Sequence, residues 1–270
     1  MNILMPMAGA GKRFADAGYP QLKPLIPTTE RRDGKKYPMV VCAMHDVEEC
    51  GTGDDRQIFV IRTDYKKDIQ PIIRQYYPRS QIIGVDHLTE GQACTCLLAR
   101  DLIDNDQPLF IAGCDNGMMI DREKFIAASS QAEVLVFTYR HNEAVLENPK
   151  AYGWVRTDGD SDIAVGVSVK QPISDDPVND HAIAASFWFK RGSDFVRFAE
   201  KMIAANDRIN NEFYVDKVIG WCIEGGLDTR VFELDRYIGW GTPADYEGYE
   251  RTLAYWRGFT HSSAFLPEAE

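Results

Sequence analysis

Three stretches of the sequence carry side chains suited to chemistry on a phosphorylated ligand. The first is Met5-Pro6-Met7-Ala8-Gly9-Ala10-Gly11-Lys12-Arg13-Phe14, followed by Lys23-Pro24-Leu25-Ile26-Pro27. An apolar run feeds a turn of Gly and Ala, so no bulky side chain separates its consecutive backbone N–H groups from a bound oxyanion. Arg13 and Lys23 add two positive charges, and the guanidinium can grip two oxygens at once. The second stretch, Leu109-Phe110-Ile111-Ala112-Gly113-Cys114-Asp115-Asn116, is an apolar strand ending in an acid. The carboxyl end of a parallel strand is where α/β proteins place ligands. The third, Thr89-Glu90-Gly91-Gln92-Ala93, opens a helix with N-capping residue types and offers a Gln, a donor and an acceptor on one side chain.

Several other chemistries are disfavoured. A dinucleotide-binding fingerprint needs a third Gly at position 14, which is Phe14, and no Walker motif exists because Gly11-Lys12 is followed by Arg13. The six cysteines include Cys94 and Cys96, one residue apart with no nearby His, which is not zinc-ligand spacing; buried reduced thiols are expected. A net charge of −11 opposes nucleic acid or an anionic membrane as main partner, but not a small anionic nucleotide held by a local cationic cluster. No apolar run is long enough to span a bilayer, and the start Met1 to Pro6 lacks signal-peptide features, so a cytoplasmic protein is expected.

The elements that must position these residues follow from periodicity. Short apolar runs at Ile3–Met5, Ile58–Ile61, Leu109–Ala112, Val134–Tyr139 and Val231–Leu234 alternate with helical patterns, the mark of a largely parallel sheet covered by helices. Ile163 to Val169 alternates instead and predicts a strand with one buried face carrying Ile163, Val165, Val167 and Val169, with Ala185–Phe189 as its neighbour. Phe195, Phe198, Ala199, Met202 and Ile203 fall on one helical face. A last helix opens at Thr242-Pro243-Ala244-Asp245 with a capping signature, its apolar face made of Tyr246, Tyr249, Leu253 and Trp256. Thr28 to Lys36 reads as an exposed hairpin or loop. One domain is expected over residues 1–258, with Phe259 to Glu270 as a loosely held tail.

The combination Pro-Met-Ala-Gly-x-Gly-x-Arg-Phe, then Lys-Pro-Leu-Ile, resembles the signature of the sugar-phosphate nucleotidyltransferases, the family of NDP-sugar pyrophosphorylases and cytidylyltransferases. The resemblance spans roughly Met1 to Tyr249. It implies a Rossmann-like α/β fold, a mixed and mostly parallel sheet flanked by helices as in GT-A-like proteins, with a small antiparallel acceptor-binding addition. It also implies that Ala8, Gly9, Ala10, Gly11, Gly91 and Gln92 bind a nucleoside triphosphate, with Gln92 at a pyrimidine edge. Arg13, Lys23 and Asp115 would be catalytic, and Tyr152, Gly153, Lys170 and Glu212 would surround a phosphorylated acceptor. The cofactor implied is Mg²⁺ on Asp115. Many members carry a second acid before a Thr near the domain's end, where this chain has Gly241 before Thr242. Asp216 is the preferred replacement, with Asp235 second and Asp245 assigned to helix capping.

The reaction so implied is attack of an acceptor phosphate on the α-phosphorus of a nucleoside triphosphate (CTP, or UTP and dTTP), releasing pyrophosphate. The acceptor is a sugar 1-phosphate or another small phosphate or phosphonate, phosphocholine-like molecules and phosphoamino acids included. Self-association as a homodimer is compatible with it. Two rival readings are a GT-A-type glycosyltransferase, against which the absence of Asp-x-Asp at Asp115-Asn116-Gly117 counts, and a non-catalytic nucleotide-binding relative.

Overall fold

The structure, a computed structural model, describes residues 1–260. Its central sheet has nine strands among those residues, in the order Ala164–Val169, Gly153–Thr157, His181–Phe189, Leu109–Ile111, Asn2–Met7, Arg56–Arg62, Gln81–Val85; Val134–Tyr139 joins at His181–Phe189 and carries Thr229–Glu233 beyond it. Asn2–Met7 pairs in parallel with both Arg56–Arg62 and Leu109–Ile111, and Arg56–Arg62 with Gln81–Val85. His181–Phe189 is antiparallel to its neighbours. The parallel half is covered on both faces: Ile3, Met5, Phe59 and Ile61 enter one core, while Leu4, Ile58 and Val60 enter the other. This is why these strands read as unbroken apolar runs, not as alternating ones.

Two small antiparallel sheets lie off the main one. Asn116–Met119 pairs with Arg236–Gly239, and Pro27–Thr29 pairs with Lys36–Pro38. The segment expected as an exposed hairpin is a hairpin, yet Thr28, Thr29 and Glu30 are buried. The cause is the last helix, Pro243–Thr260, which packs across it. Tyr246 Oη donates to Pro27 O (2.8 Å) and Tyr249 Oη to Thr29 O (2.6 Å), while the Glu250 carboxylate accepts from Thr29 N and Oγ1 (both 2.7 Å).

That helix begins as its sequence indicates. Asp245 accepts from Thr242 N (3.2 Å) and Thr242 Oγ1 (2.6 Å), and its own N–H donates back to Thr242 Oγ1 at 3.2 Å. Trp256, placed by the pattern on the apolar face, is instead exposed at the rim of a cavity, while the next residue, Arg257, lies against Gly34 of the hairpin. The helix continues through Phe259 and Thr260; the rest of the expected tail, residues 261–270, lies outside the described residues.

Two expectations for the second half are corrected. The strand Ala164–Val169 pairs only with Gly153–Thr157, not with Ala185–Phe189, and a register shift between Ala164 and Gly166 breaks its alternation. Ala164 therefore points inward, while Ile163 and Val165 are exposed. No helix among the described residues is long and apolar enough to cross a membrane.

Candidate active site

The glycine-rich turn leaves the carboxyl end of the strand Asn2–Met7, at the centre of the parallel half. Gly11 sits at φ 61°, a left-handed position that ends the turn and starts the short helix Lys12–Asp16. Phe14, fully buried, anchors that helix, and the adjacent Arg13 is exposed. A Cβ on Gly9 would meet no atom within 4 Å. The space a side chain would fill there is open, as a backbone cradle for a ligand requires.

Lys23 begins the single helical turn Lys23–Leu25. Its Nζ donates to Asp115 Oδ2 at 2.6 Å and to Gly241 O at 3.0 Å. Asp115 itself follows the strand Leu109–Ile111, and its carbonyl accepts from Trp240 N at 2.9 Å. One lysine thus ties together three segments distant in sequence: the glycine-rich region, the strand-end acid and the approach to the last helix. The Lys23 side chain is 16% exposed and that of Asp115 36%, so the carboxylate still faces open space.

Two cavities meet at Asp115. One, of about 500 Å³, is lined by Gly9, Gly11, Lys23, Gly91, Gln92 and Glu212. The other, of about 700 Å³, is lined by Arg13, Tyr152, Gly153, Lys170, Tyr214 and Asp216. Asp115, Gln92 and Ala185 belong to both. The residues expected at a nucleotide and those expected at an acceptor therefore fall into two adjoining chambers. Two residues depart from this division: Glu212 lines the glycine-loop chamber, beside Tyr214, and Arg13, from the turn expected to hold the triphosphate, lines the other.

Gln92 is the first residue of the helix Gln92–Leu97, and Gly91 is its N-cap with φ 125° and ψ 173°. Only glycine holds that conformation without strain. A Cβ there would also stand 2.5 Å from Phe213 N and 2.6 Å from Phe213 O. The close approach serves two backbone hydrogen bonds, Phe213 N to Glu90 O (2.7 Å) and Ala93 N to Phe213 O (3.0 Å). Gly91 thus has a sufficient structural reason, and the same bonds fix Glu212 near Gln92. Thr89 does not cap this helix. Its hydroxyl donates to Gly91 O at 3.0 Å, and Glu90 pairs with Arg208 at 3.0 Å.

In the second chamber Gly153 is also explained by a neighbour. A Cβ would collide with Asp216 Oδ2 at 2.2 Å, so this glycine makes room for that carboxylate, not directly for a ligand. Burial pushes the Asp216 carboxyl up to about 6, with the nearby positive charge of Lys170 acting in the other direction. Lys170 adopts a left-handed φ of 59° at the end of its strand. Its Nζ donates to Ala151 O and lies 5.5 Å from the centre of the Tyr214 ring. Tyr152 stands edge-on to Trp154, and burial raises its hydroxyl's pKa.

Arg31 was not singled out from the sequence, yet it lines the second chamber. Asp46 holds it through two hydrogen bonds (3.0 and 2.5 Å), and it also donates to Met118 O at 2.8 Å. Ala185, at φ 51° where the strand His181–Phe189 slips register, forms part of the wall common to both chambers. One of three alanines in an apolar run, Ala185 gives no sequence signal of this.

Asp115 and Asp216 line one chamber, but their neighbours differ: Lys23 and Gly241 for the first, Gly153 and Lys170 for the second. A Cβ on Gly241 would stand 3.9 Å from Asp115 Oδ2, so Gly241 does occupy the place beside Asp115 where a second acid would act. Asp235 lies outside both chambers, paired with Lys124 at 2.9 Å. No group of three or more His, Cys, Asp and Glu among the described residues is placed to hold a metal unaided. One partly exposed carboxylate suits a Mg²⁺ ion whose remaining ligands are substrate phosphates and water.

No protein-family model matches the sequence, and no curated protein matches it. Solved structures do match along nearly the whole chain. The nucleoside-diphosphate-sugar pyrophosphorylase of Vibrio cholerae RC9 superposes with a TM-score of 0.74 at 18% identity, covering 92% of this chain and 99% of its own. The inositol-1-phosphate CTP transferase of T. maritima gives 0.66 at 13% identity, over 94% of each chain. A UDP-glucose pyrophosphorylase complexed with UDP-glucose gives 0.68 at 17% identity, over 95% of this chain and 98% of that one. The chain has the Rossmann-like fold shared by these nucleotidyltransferases.

Proposed function

We propose that this chain is a nucleotidyltransferase of the EC 2.7.7 type that moves a nucleoside monophosphate from a nucleoside triphosphate to a small phosphorylated acceptor, releasing pyrophosphate. The observation that carries this reading is the Lys23–Asp115 pair at the seam between two chambers, one built on a bare glycine turn and the other on aromatic and charged side chains. The triphosphate lies along Gly9 and Gly11, and Gln92 reads the edge of a pyrimidine base (CTP, or UTP and dTTP). The acceptor, a sugar 1-phosphate or a non-sugar phosphate, enters the second chamber near Lys170.

An acceptor phosphate monoester is already nucleophilic, so no side-chain base is required. Its oxygen attacks the α-phosphorus in line and the bond to the β-phosphate oxygen breaks, with the leaving pyrophosphate taking that electron pair. Positioning and charge neutralisation do the catalytic work, with Arg13 and Lys23 set against the phosphate oxygens. Mg²⁺, which Asp115 would hold, supplies further neutralisation of phosphate charge when bound. The cytoplasm, which holds the nucleoside triphosphates, is the compartment this reading requires. Incubation with each of CTP, UTP and dTTP against a panel of phosphorylated acceptors tests it by pyrophosphate release. Release of a nucleoside diphosphate from a sugar nucleotide would instead support the glycosyltransferase reading.

A further inference from the structure

The acids of the second chamber are not equivalent. Asp115 is held by Lys23 at 2.6 Å, and Asp245 is occupied in capping the last helix through Thr242 (2.6 and 3.2 Å). Asp216 differs from both. Beyond its own backbone N–H, no residue donates a hydrogen bond to its carboxylate among the described residues, and it forms no ion pair. Lys170, the cation nearest to it in effect, is engaged with Ala151 O and the Tyr214 ring instead. Gly153 clears the space that the carboxylate occupies, so the fold pays twice, in a glycine and in an unpaired charge, to present this acid to the chamber.

The chamber it lines is rich in aromatic side chains, with Tyr214 near Asp216 itself. Tyr139, Tyr152, Tyr214 and Tyr237 line the same chamber, the rings of Tyr139 and Tyr237 stacked 4.2 Å apart. Aromatic faces with a carboxylate among them attract a cation, and the ammonium of Lys170 over Tyr214 shows that these rings accept one. A neutral hydroxyl on a ligand would solvate the carboxylate but leave its charge uncompensated. An ammonium would neutralise it.

We infer that the acceptor of this chain is zwitterionic, a phosphate monoester that also carries an ammonium group, and that Asp216 with the tyrosines lining the same chamber binds that ammonium. The inference rests on the nucleotidyl-transfer reading and adds a substrate class to it. It makes Asp216 an acceptor-specificity residue and not the second metal ligand.

The test is a comparison of phosphoethanolamine and phosphocholine with glucose 1-phosphate and inositol 1-phosphate as acceptors, under each pyrimidine nucleoside triphosphate with Mg²⁺. An ammonium-bearing acceptor is expected to give the highest kcat/KM. Asp216→Asn is expected to raise the KM for that acceptor about 10- to 100-fold, the worth of a hydrogen bond to a charged group. The KM for the nucleotide and the Mg²⁺ concentration for half-maximal rate should stay as in the parent. Tyr152→Leu should act in the same direction as Asp216→Asn, and it keeps the test decisive if the Asn variant fails to fold. Preferred turnover of the sugar or inositol phosphates would overturn the inference while leaving nucleotidyl transfer standing. A changed Mg²⁺ requirement in Asp216→Asn would overturn it in favour of metal ligation. No pyrophosphate from any pair would remove both readings.

Discussion

Gly241 offers the sharpest test of how charge is organised around Asp115. The substitution is Gly241→Asp, which installs an acid where many proteins of the resembled family have one. The backbone permits it, since Gly241 is not in the left-handed region and a Cβ there would have Asp115 Oδ2 as its nearest neighbour at 3.9 Å. A carboxylate on that Cβ would lie about 5 Å from the Asp115 carboxylate, and two like charges at that distance repel by about 3 kcal/mol at an effective dielectric near 20. Lys23, 2.6 Å from Asp115 and 3.0 Å from Gly241 O, offsets part of this. The net destabilisation without metal should be about 1–2 kcal/mol once the exposure of the pair is allowed for. Mg²⁺ turns the same juxtaposition into an attraction, and even 1.4 kcal/mol of it tightens binding about tenfold. The assay is thermal unfolding with and without Mg²⁺, together with the Mg²⁺ dependence of turnover. The variant should melt below the parent without metal, recover with it, and reach half-maximal rate at about one tenth of the Mg²⁺ concentration. An unchanged Mg²⁺ dependence and an unchanged metal-free melting temperature would refute the placement of the ion at Asp115.

Three further outcomes follow from the geometry. Lys23→Met should lower kcat about 10²- to 10³-fold, as loss of one aligned cationic donor does, with a smaller change in the nucleotide KM; near-parental steady-state turnover would remove Lys23 from the reacting centre. Gly9→Val and Gly91→Ala should separate ligand space from structural space. A Cβ at the first meets no atom within 4 Å, and the variant should leave the melting temperature nearly intact while abolishing nucleotide binding by calorimetry. The second collides with Phe213 at 2.5 Å in a strained conformation and should cost about 2–4 kcal/mol of stability in denaturant titration. Asp216→Asn should be stabilised relative to the parent in a pH-dependent way. The carboxyl pKa is raised from 3.8 to about 6, so ionisation in the folded state costs stability, at most about 3 kcal/mol. That penalty is absent below pH 3.8, grows as pH rises, and is complete above about 6. Melting curves at pH 4 and pH 7.5 should show the gap between variant and parent widening at the higher pH; a constant gap would mean the carboxylate is not buried in this way.

Much of the site was legible because its local geometry is encoded locally. A strand that runs into Gly9 and Gly11, and a strand that ends at Asp115, are statements about neighbours in sequence, and both stand in the structure at the carboxyl edge of adjacent parallel strands. The meaning of Gly91 and Gly153 was not legible. Each glycine is dictated by a partner more than sixty residues away, Phe213 for one and Asp216 for the other. Arg31 was hidden for a similar reason: in sequence it belongs to a polar turn, and only the clamp by Tyr249 and Glu250 and the carboxylate of Asp46 bring it inside. The phase of Ile163 to Val169 failed where a bulge reset the alternation, an event that side-chain pattern alone does not announce.

The central claim is that the bond broken joins the α- and β-phosphates and that the bond formed joins the α-phosphorus to an acceptor phosphate. Mass spectrometry and ³¹P NMR of the products made from a pyrimidine nucleoside triphosphate and a phosphorylated acceptor measure this directly. The account predicts equal amounts of free pyrophosphate and of a nucleoside diphosphate ester carrying the acceptor, both abolished in Asp115→Ala. Products containing inorganic phosphate and a nucleoside diphosphate, or an unreacted triphosphate with every acceptor, would contradict it.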